Sequence, residues 1–163
     1  MTTDCDLVVE TDNVAATQAL GARLALLLQP GDVLALSGDL GAGKTAFTQG
    51  LAQGLGITRP VTSPTFVLVN EYPLSGGLAL QHVDCYRLAN APLEMWDAGL
   101  SDLFAGDNIV VIEWADRIPE LLPEDHLEVA FTYLDDNHRR LCFVARGETF
   151  AGRLADFRIR TAA

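Results

Sequence analysis

Lysine and long apolar runs are both scarce in this sequence. Lys44 is the only lysine, beside ten arginines, so the guanine-reading motif Asn-Lys-x-Asp of many GTPases is excluded. No apolar run approaches the roughly 20 residues that a membrane-spanning helix needs. Residues 1–6 have neither a basic start nor an apolar signal core. We therefore expect a cytoplasmic protein.

Cysteine is also rare. Cys5, Cys85 and Cys142 are odd in number, lie far apart and form no C-x-x-C pair. Such spacing indicates reduced thiols in a cytosol, with neither a disulfide nor a zinc site.

The overall composition indicates one globular domain over residues 1–163, with 49% apolar and 20% charged residues. The net charge of −11 argues against a protein that grips nucleic acid over its whole surface. Six of the eleven basic residues nevertheless lie in the last 25 positions, and we treat 147–163 as a basic C-terminal extension. A solvated tail is one interpretation. A patch that docks an acidic partner or an RNA backbone is the other.

Residues 38–45, Gly-Asp-Leu-Gly-Ala-Gly-Lys-Thr, match the phosphate-binding pattern G-x-x-x-x-G-K-[ST] without a substitution. An apolar run at 33–36 precedes this loop and a helix-period segment at 45–55 follows it. The glycines let backbone N–H groups turn inward, and the helix N-terminus adds partial positive charge. We expect Lys44 at the β- and γ-phosphates and Thr45 on Mg²⁺, with adenine favoured by elimination of guanine. The predicted nucleotide-binding residues of this segment are Gly38, Asp39, Leu40, Gly41, Ala42, Gly43, Lys44, Thr45 and Ala46.

Hydrophobic periodicity predicts the remaining elements. In chain order they are a strand (5–10), a helix (cap Thr11-Asp12, to about Leu28), the strand and helix around the phosphate loop, a hairpin (66–72 and 78–84), a short helix (92–98), a strand buried on both faces (109–112), a helix (115–121) and a second hairpin (126–133 and 139–146). The end of the chain is expected to be weakly helical or frayed. Alternating helices and strands with hairpins predict a three-layer α/β/α P-loop NTPase fold on a mixed parallel and antiparallel sheet.

Two acids follow predicted strands, at the position where a nucleotide's metal ion is held. Glu113 follows four apolar residues in a Walker B arrangement, with Glu in place of the commoner Asp, and Asp84 ends a less apolar strand. An acid at a buried strand tip is costly unless a cation or hydrogen bonds compensate it, and Mg²⁺ would do so. The alternative for either residue is an ordinary strand-to-loop acid.

Hydroxyl residues follow the phosphate-loop helix, where switch loops lie. A hydroxyl of Thr62, Ser63 or Thr65 can reach the γ-phosphate or the metal there, although a turn held by local hydroxyl hydrogen bonds is the alternative. His82 and Asp84 are two residues apart on one strand, so they share a face and can contact each other.

Four segments occur in the order and spacing of one known family. They are G-D-L-G-A-G-K-T at 38–45, S-P-T-F at 63–66, H-x-D-x-Y-R at 82–87 and I-E-W at 112–114. With these motifs the sequence resembles TsaE (also called YjeE), a family of small bacterial P-loop ATPases of the tRNA threonylcarbamoyladenosine pathway. The resemblance runs from about Thr11 to Leu134. The P-loop alone is unspecific, whereas the four motifs together are highly specific.

The resemblance implies a domain that binds ATP and Mg²⁺ and hydrolyses ATP slowly until the partners TsaB and TsaD are present. Those partners transfer a threonylcarbamoyl group to adenosine 37 of ANN-decoding tRNAs, so contact with tRNA would be indirect. Carried over by position, Lys44 contacts the phosphates, Thr45 and Glu113 serve the metal, and Asp84 serves the metal or the attacking water. Thr65 belongs to the switch segment, and Trp114 is a functional position of its motif. The family's adenine contacts come from less distinctive N-terminal positions, for which we choose Thr11 and Thr17.

Two other functions remain open from the residues alone. A small-molecule or nucleotide kinase shares the P-loop and the size, although the sequence shows no arginine-rich lid. A nucleotide-gated binding module, in which ATP and ADP select two switch-loop states, needs no obligatory hydrolysis.

Overall fold

The computed structural model describes residues 4–63, 69–88, 90–97 and 99–162. Its strands are β1 Leu7–Thr11, β2 Val33–Gly38, β3 Val69–Pro73, β4 Ala79–Asp84, β5 Ile109–Glu113, β6 His126–Tyr133 and β7 Arg139–Arg146. Its helices are α1 Val14–Ala25, α2 Lys44–Gly54, α3 Ala91–Asp97, α4 Leu100–Ala105 and α5 Ala151–Ala162. Within these ranges, none of the helices is long and apolar enough to span a bilayer.

The strands form one mixed sheet in the order β1-β7-β6-β2-β5-β4-β3. Strands β6, β2, β5 and β4 run parallel, while β1, β7 and β3 each pair antiparallel with their neighbours. The predicted mixed sheet is therefore confirmed. Because the four central strands are parallel, their carboxyl ends meet at one edge of the sheet, where ligands of open α/β sheets bind.

Alternating side chains give the sheet two apolar faces. On one face α1, α2 and α5 cover a core that contains Phe47, Phe143 and Phe157. On the other face α3 and α4 cover a second core that contains Met95 and Ile112. The two cores confirm the three-layer arrangement. Strand β5 contributes to both, as its unbroken apolar sequence predicted.

Helices α1 and α2 pack with their backbones almost in contact. A Cβ atom added at Gly50 would lie 1.8 Å from the carbonyl oxygen of Gln18, and one at Gly54 would lie 2.5 Å from that of Ala22. Only glycine fits at such a close approach. Since α2 begins in the phosphate loop, this packing fixes the loop relative to the sheet.

The region after β5 departs from its prediction. Residues 115–121 form two 3₁₀ turns, Ala115–Arg117 and Pro119–Leu121, in place of one helix. Proline has no N–H for an α-helical hydrogen bond, and Ile118 between the turns has φ −132°, which interrupts the helix. Helix α4 was not predicted, because its six residues are too few for a periodic signal.

Cys5 and Cys142 form a disulfide, so the prediction of three reduced thiols is wrong for this pair. Strand β1 pairs antiparallel with β7, opposing Leu7 to Phe143, and this brings the two cysteines to a Cα–Cα distance of 5.4 Å. Spacing along the chain cannot reveal such pairing, because the cysteines are 137 residues apart. Cys85 is a buried free thiol, and burial raises its pKa to about 12.

The C-terminal extension is an ordered helix, not the weakly helical or frayed end that the sequence predicted. Leu154 and Phe157 anchor α5 in the core. The guanidinium of Arg153 forks onto the Asp32 carboxylate, with Nη1–Oδ2 at 2.5 Å and Nη2–Oδ1 at 2.9 Å. The solvated-tail interpretation is therefore wrong for Arg153.

Most of the other C-terminal arginines also bind within the chain. Their partners are Glu10 for Arg140, Glu128 for Arg146, the backbone oxygen of Asp6 for Arg158 and the backbone oxygen of Gly41 for Arg139. The basic cluster is thus distributed over the fold, and a variant that neutralises several of its members would change stability as well as charge.

We expect Gly50→Ala to destabilise the protein, because the new methyl group would lie 1.8 Å from the carbonyl oxygen of Gln18 and the two helices would have to separate. Overpacking of this kind costs about 1–3 kcal/mol, and occasionally more. Gly152→Ala, at an exposed position of α5, is the control, because no atom lies within 4 Å of its added Cβ. Alanine should stabilise that helix by about 0.5–1 kcal/mol. Urea denaturation measures both effects, and a Gly50→Ala protein as stable as wild type would contradict the close helix contact.

We expect Arg153→Ala to lower the free energy of unfolding by on the order of 3 kcal/mol, because the buried Asp32 carboxylate would lose its cation. Arg160→Ala removes the same charge from an exposed position on the same helix and should change little. Equal shifts of the denaturation midpoint in the two variants would show that Arg153 has no structural role.

Candidate functional site

The predicted acids lie at the sheet edge where the phosphate loop begins. Glu113 ends β5 and is in register with Leu36 of β2 on one side and with Asp84, the last residue of β4, on the other. Side chains alternate along a strand, so His82, Asp84 and Glu113 share the face that α2 covers. Both carboxylates are therefore on the same side of the sheet as the phosphate loop.

The loop itself depends on glycine backbone conformations. Gly38 has φ +138° and Gly43 has φ +106°, and a Cβ atom at Gly38 would lie 2.6 Å from the carbonyl oxygen of Phe131. Helix α2 begins at Lys44 and, among the described residues, no side chain caps its N-terminus. Its first N–H groups are thus oriented for an anion.

Lys44 is 4% exposed and its ammonium is already hydrogen bonded. Its Nζ donates to the backbone oxygens of Gly38, at 2.5 Å, and Asp39, at 2.9 Å. The same atom lies 4.1 Å from the centre of the Trp114 ring, a cation–π contact. Desolvation by burial lowers the pKa of Lys44, against the opposing effect of nearby carboxylates such as Glu113. A phosphate would replace the loop carbonyls as the partner of this cation.

Trp114 has a strained backbone. Its φ of 59° makes it the one non-glycine residue with positive φ in the described part of the chain. Such a conformation costs on the order of 1–3 kcal/mol and is concentrated at functional sites. It places the indole between Lys44 and the Tyr86 ring, whose centre lies 4.8 Å away. Trp114, predicted as a functional position, therefore lies directly against the phosphate-loop lysine.

The Glu113 carboxylate is buried and shared between two neighbours. Its Oε1 accepts a hydrogen bond from Thr45 Oγ1 at 3.0 Å, and its Oε2 meets Nε2 of His82. Thr45 Oγ1 also lies 3.1 Å from Ser63 Oγ. His82 thus contacts Glu113 on the neighbouring strand, while the oxygen Oδ1 of Asp84 accepts the N–H of Tyr86 at 2.9 Å. The sequence left open a contact between His82 and Asp84. In the structure His82 contacts Glu113 instead.

The phosphate loop and the carboxylates Asp84 and Glu113 lie on the wall of a cleft of about 450 Å³. The predicted residues on its wall are Leu40, Gly41, Gly43, Lys44, Thr45, Ala46, Ser63, Asp84, Glu113, Trp114 and Thr17. Thr11 does not line the cleft, but its hydroxyl lies 2.7 Å from that of Thr17, which does. The prediction for Thr65 falls outside the described residues.

Sequence reasoning missed the opposite wall of the cleft. Asn13, at the start of α1, and Asn137, in the β6–β7 turn, both line it. Arg139 donates from Nη2 to the backbone oxygen of Gly41 at 3.2 Å and stacks 4.5 Å over the Tyr133 ring. These residues lie on the β6–β7 side of β2, away from Asp84. No motif marks them, because a turn and a helix cap carry no phosphate-binding pattern.

We expect Asp84→Asn to raise the free energy of unfolding at neutral pH. Burial raises the pKa of Asp84 above 3.8, so the folded state disfavours the ionised form. This cost begins to disappear as pH falls through the raised folded-state pKa and is gone below the unfolded-state pKa. Denaturation curves between neutral pH and about pH 3 should therefore show the stability difference shrinking toward acid.

Asp135→Asn is a control of opposite sign. Hydrogen bonding, first of all from His138, lowers the pKa of Asp135 to about 2, so this variant should lose stability at neutral pH. Its deficit should fade as pH falls from the unfolded-state pKa toward about 2. If Asp84→Asn lowered the free energy of unfolding at neutral pH, the ionised form of Asp84 would not be disfavoured in the folded state.

Comparison with known proteins agrees with the geometry. Residues 11–141 match the family model described as "Threonylcarbamoyl adenosine biosynthesis protein TsaE". The tRNA threonylcarbamoyladenosine biosynthesis protein TsaE of Bacillus subtilis is 44% identical over 140 residues, 86% of each chain. That of Streptomyces coelicolor is 50% identical over 111 residues, 68% of this chain and 74% of the relative. The crystal structure of Bacillus subtilis YdiB has a TM-score of 0.82 at 36% identity, covering 98% of this chain and 99% of that one. The chain therefore belongs to the TsaE family.

Proposed function

We propose that this chain is a magnesium-dependent ATPase that supports threonylcarbamoyl transfer to adenosine 37 of tRNA by a complex of TsaB and TsaD. Family membership supports the role in threonylcarbamoyladenosine biosynthesis. The observation that carries the ATPase is the convergence of Lys44, Thr45 and Glu113 on one phosphate loop. A cation, a hydroxyl and a carboxylate at the N-terminus of one helix are the parts that phosphoryl transfer requires.

In this proposal the cleft of about 450 Å³ binds the nucleotide with its phosphates at the start of α2. There Lys44 would exchange the carbonyls of Gly38 and Asp39 for phosphate oxygens. The base and ribose then extend toward the wall formed by Thr17 and Asn137. The lysine is well suited to this exchange, because a compact ammonium can turn within a narrow cradle.

Magnesium fits the oxygen donors at this edge. Thr45 offers a hydroxyl, and Glu113 and Asp84 offer carboxylates, which are the hard ligands that Mg²⁺ prefers. The described residues contain no cluster of three or more His, Cys, Asp or Glu that could hold a metal by itself. That agrees with a Mg²⁺ ion held by one or two protein oxygens together with phosphates and water. When bound, the ion would neutralise charge on the phosphates.

The carboxylates of Glu113 and Asp84 have different roles in this proposal. Glu113, bonded to Thr45, orients the hydroxyl of the phosphate-loop helix. Asp84 lines the cleft, and its carboxyl can accept a hydrogen bond from a water molecule beside the terminal phosphate.

Contact with tRNA would pass through the partner proteins. A net charge of −11 disfavours direct binding to a phosphate backbone, and most C-terminal arginines are bound within the fold. TsaB and TsaD would supply the tRNA contacts in the cytoplasm, and their binding would raise a slow intrinsic hydrolysis.

We expect Lys44→Ala to reduce ATP hydrolysis by at least ~100-fold, as removal of one electrostatic contact to a transferring group does. Glu113→Ala should still bind ADP while losing magnesium-dependent hydrolysis. The assay is phosphate release by the protein alone and after addition of TsaB and TsaD from the same organism, where wild type should accelerate. Arg160→Ala, which removes a charge from an exposed position, is the matched control.

Each alternative to this proposal predicts a different experimental outcome. Normal hydrolysis by Glu113→Ala would transfer the metal-holding role to Asp84. Phosphoryl transfer to a metabolite faster than to water would identify a kinase. Equal partner binding with ATP and a non-hydrolysable analogue, together with full pathway activity of a Glu113→Ala protein that no longer hydrolyses ATP, would identify a nucleotide-gated binding module.

A further inference from the structure

His82 is a buried histidine of which one ring nitrogen has a hydrogen-bond partner among the described residues. It lies on β4 and is 0% exposed. Its Nε2 meets Oε2 of Glu113, whereas its Nδ1 has no hydrogen-bond partner among the described residues. A buried polar atom without a partner costs about 1–3 kcal/mol, so this one needs an explanation.

Packing alone does not account for an imidazole at this position. Its neighbours on the same face, Leu80 on its own strand and Val111 in register on β5, are fully buried aliphatic residues. Another aliphatic side chain at position 82 would bury apolar surface without leaving a nitrogen unpaired. The feature that an aliphatic residue cannot supply is the hydrogen bond to Glu113.

The unpaired nitrogen indicates how that hydrogen bond is arranged. If Nε2 carries the proton and donates it to Glu113, Nδ1 is left as a bare lone pair. In the opposite tautomer the buried N–H at Nδ1 would find no acceptor among the described residues, and Glu113 Oε2 would lose the hydrogen that His82 donates. The neighbours therefore select the Nε2–H tautomer.

This donor fixes the rotation of the Glu113 carboxylate. Oε2 is held by His82 and Oε1 receives the hydroxyl of Thr45 at 3.0 Å, so each oxygen has its own partner. With the carboxylate plane held from β4, Oε1 stays directed at the first turn of α2. A carboxylate held at one oxygen only would be free to turn about its terminal bond, where rotamers are broad.

We infer that His82 is a positioning residue, which holds the Glu113 carboxylate in the orientation that presents Oε1 to Thr45 and to a nucleotide-bound magnesium ion. The inference rests on the proposed function for its ligand and on the two hydrogen-bonding contacts of Glu113 for its geometry. Neither His82 nor its Nδ1 needs to touch the nucleotide.

The test separates magnesium-dependent from magnesium-independent nucleotide binding. Calorimetry gives the Kd of ADP in EDTA and in Mg²⁺. The Kd in EDTA divided by the Kd in Mg²⁺ is the magnesium gain, the factor by which the ion tightens ADP binding. His82→Leu and His82→Phe remove the donor, one with a branched and one with a ring-shaped side chain, while His82→Gln keeps an N–H directed at Glu113. Far-UV circular dichroism and thermal unfolding check that each variant is folded.

We expect the two apolar variants to lose about tenfold in the magnesium gain, as removal of a hydrogen bond behind a metal ligand does, with the Kd in EDTA unchanged. His82→Gln should restore most of that gain. A purely structural role would weaken ADP binding equally with and without Mg²⁺ and would overturn the inference. The inference would also be overturned if both apolar variants kept the magnesium gain of the wild type. That result would leave the proposed function intact. A wild-type protein that binds ADP no better with Mg²⁺ would instead overturn the proposed function.

Discussion

The candidate site depends on one buried carboxylate that three elements share. Glu113 is carried by β5, accepts a hydrogen bond from Thr45 of α2 and is contacted by His82 of β4. The register of the parallel strands sets the height of Glu113 relative to Asp84, and the glycine contacts between α1 and α2 set the position of Thr45. Long-range packing thus fixes a geometry that the phosphate loop alone would leave undefined.

Several features of the site oppose folding. Lys44 is buried with a lowered pKa, Asp84 has a raised pKa and Trp114 has a left-handed backbone. Each lowers stability in the absence of a ligand, and each would be relieved or used when a charged ligand enters. The two apolar cores and the forked pair of Arg153 with Asp32 supply the compensating stability. The cores reach the site itself, since Ala42 belongs to one of them and Trp114 packs against the other.

The sequence predicted features that depend on a few neighbouring residues. It did not predict contacts that depend on how the strands pair. The phosphate loop and the strand at Glu113 were predictable, because glycine spacing and an unbroken apolar run act within a few residues. The Cys5–Cys142 disulfide and the contact of His82 with Glu113 were not, because each joins residues on different strands whose register no short pattern shows. Arg139 was missed for the same reason, because it reaches the cleft from the first residue of β7.

The scarcity of lysine gives the site an unusual chemical property. Lys44 is the only side-chain amine of the chain, and its burial against Trp114 lowers its pKa, which raises the fraction of the nucleophilic free base. A reagent selective for lysine amines would thus have one side-chain target in the whole protein, on the wall of the cleft. A bound triphosphate and such a reagent would compete for a single atom, so covalent modification of this chain would directly report whether the cleft is filled.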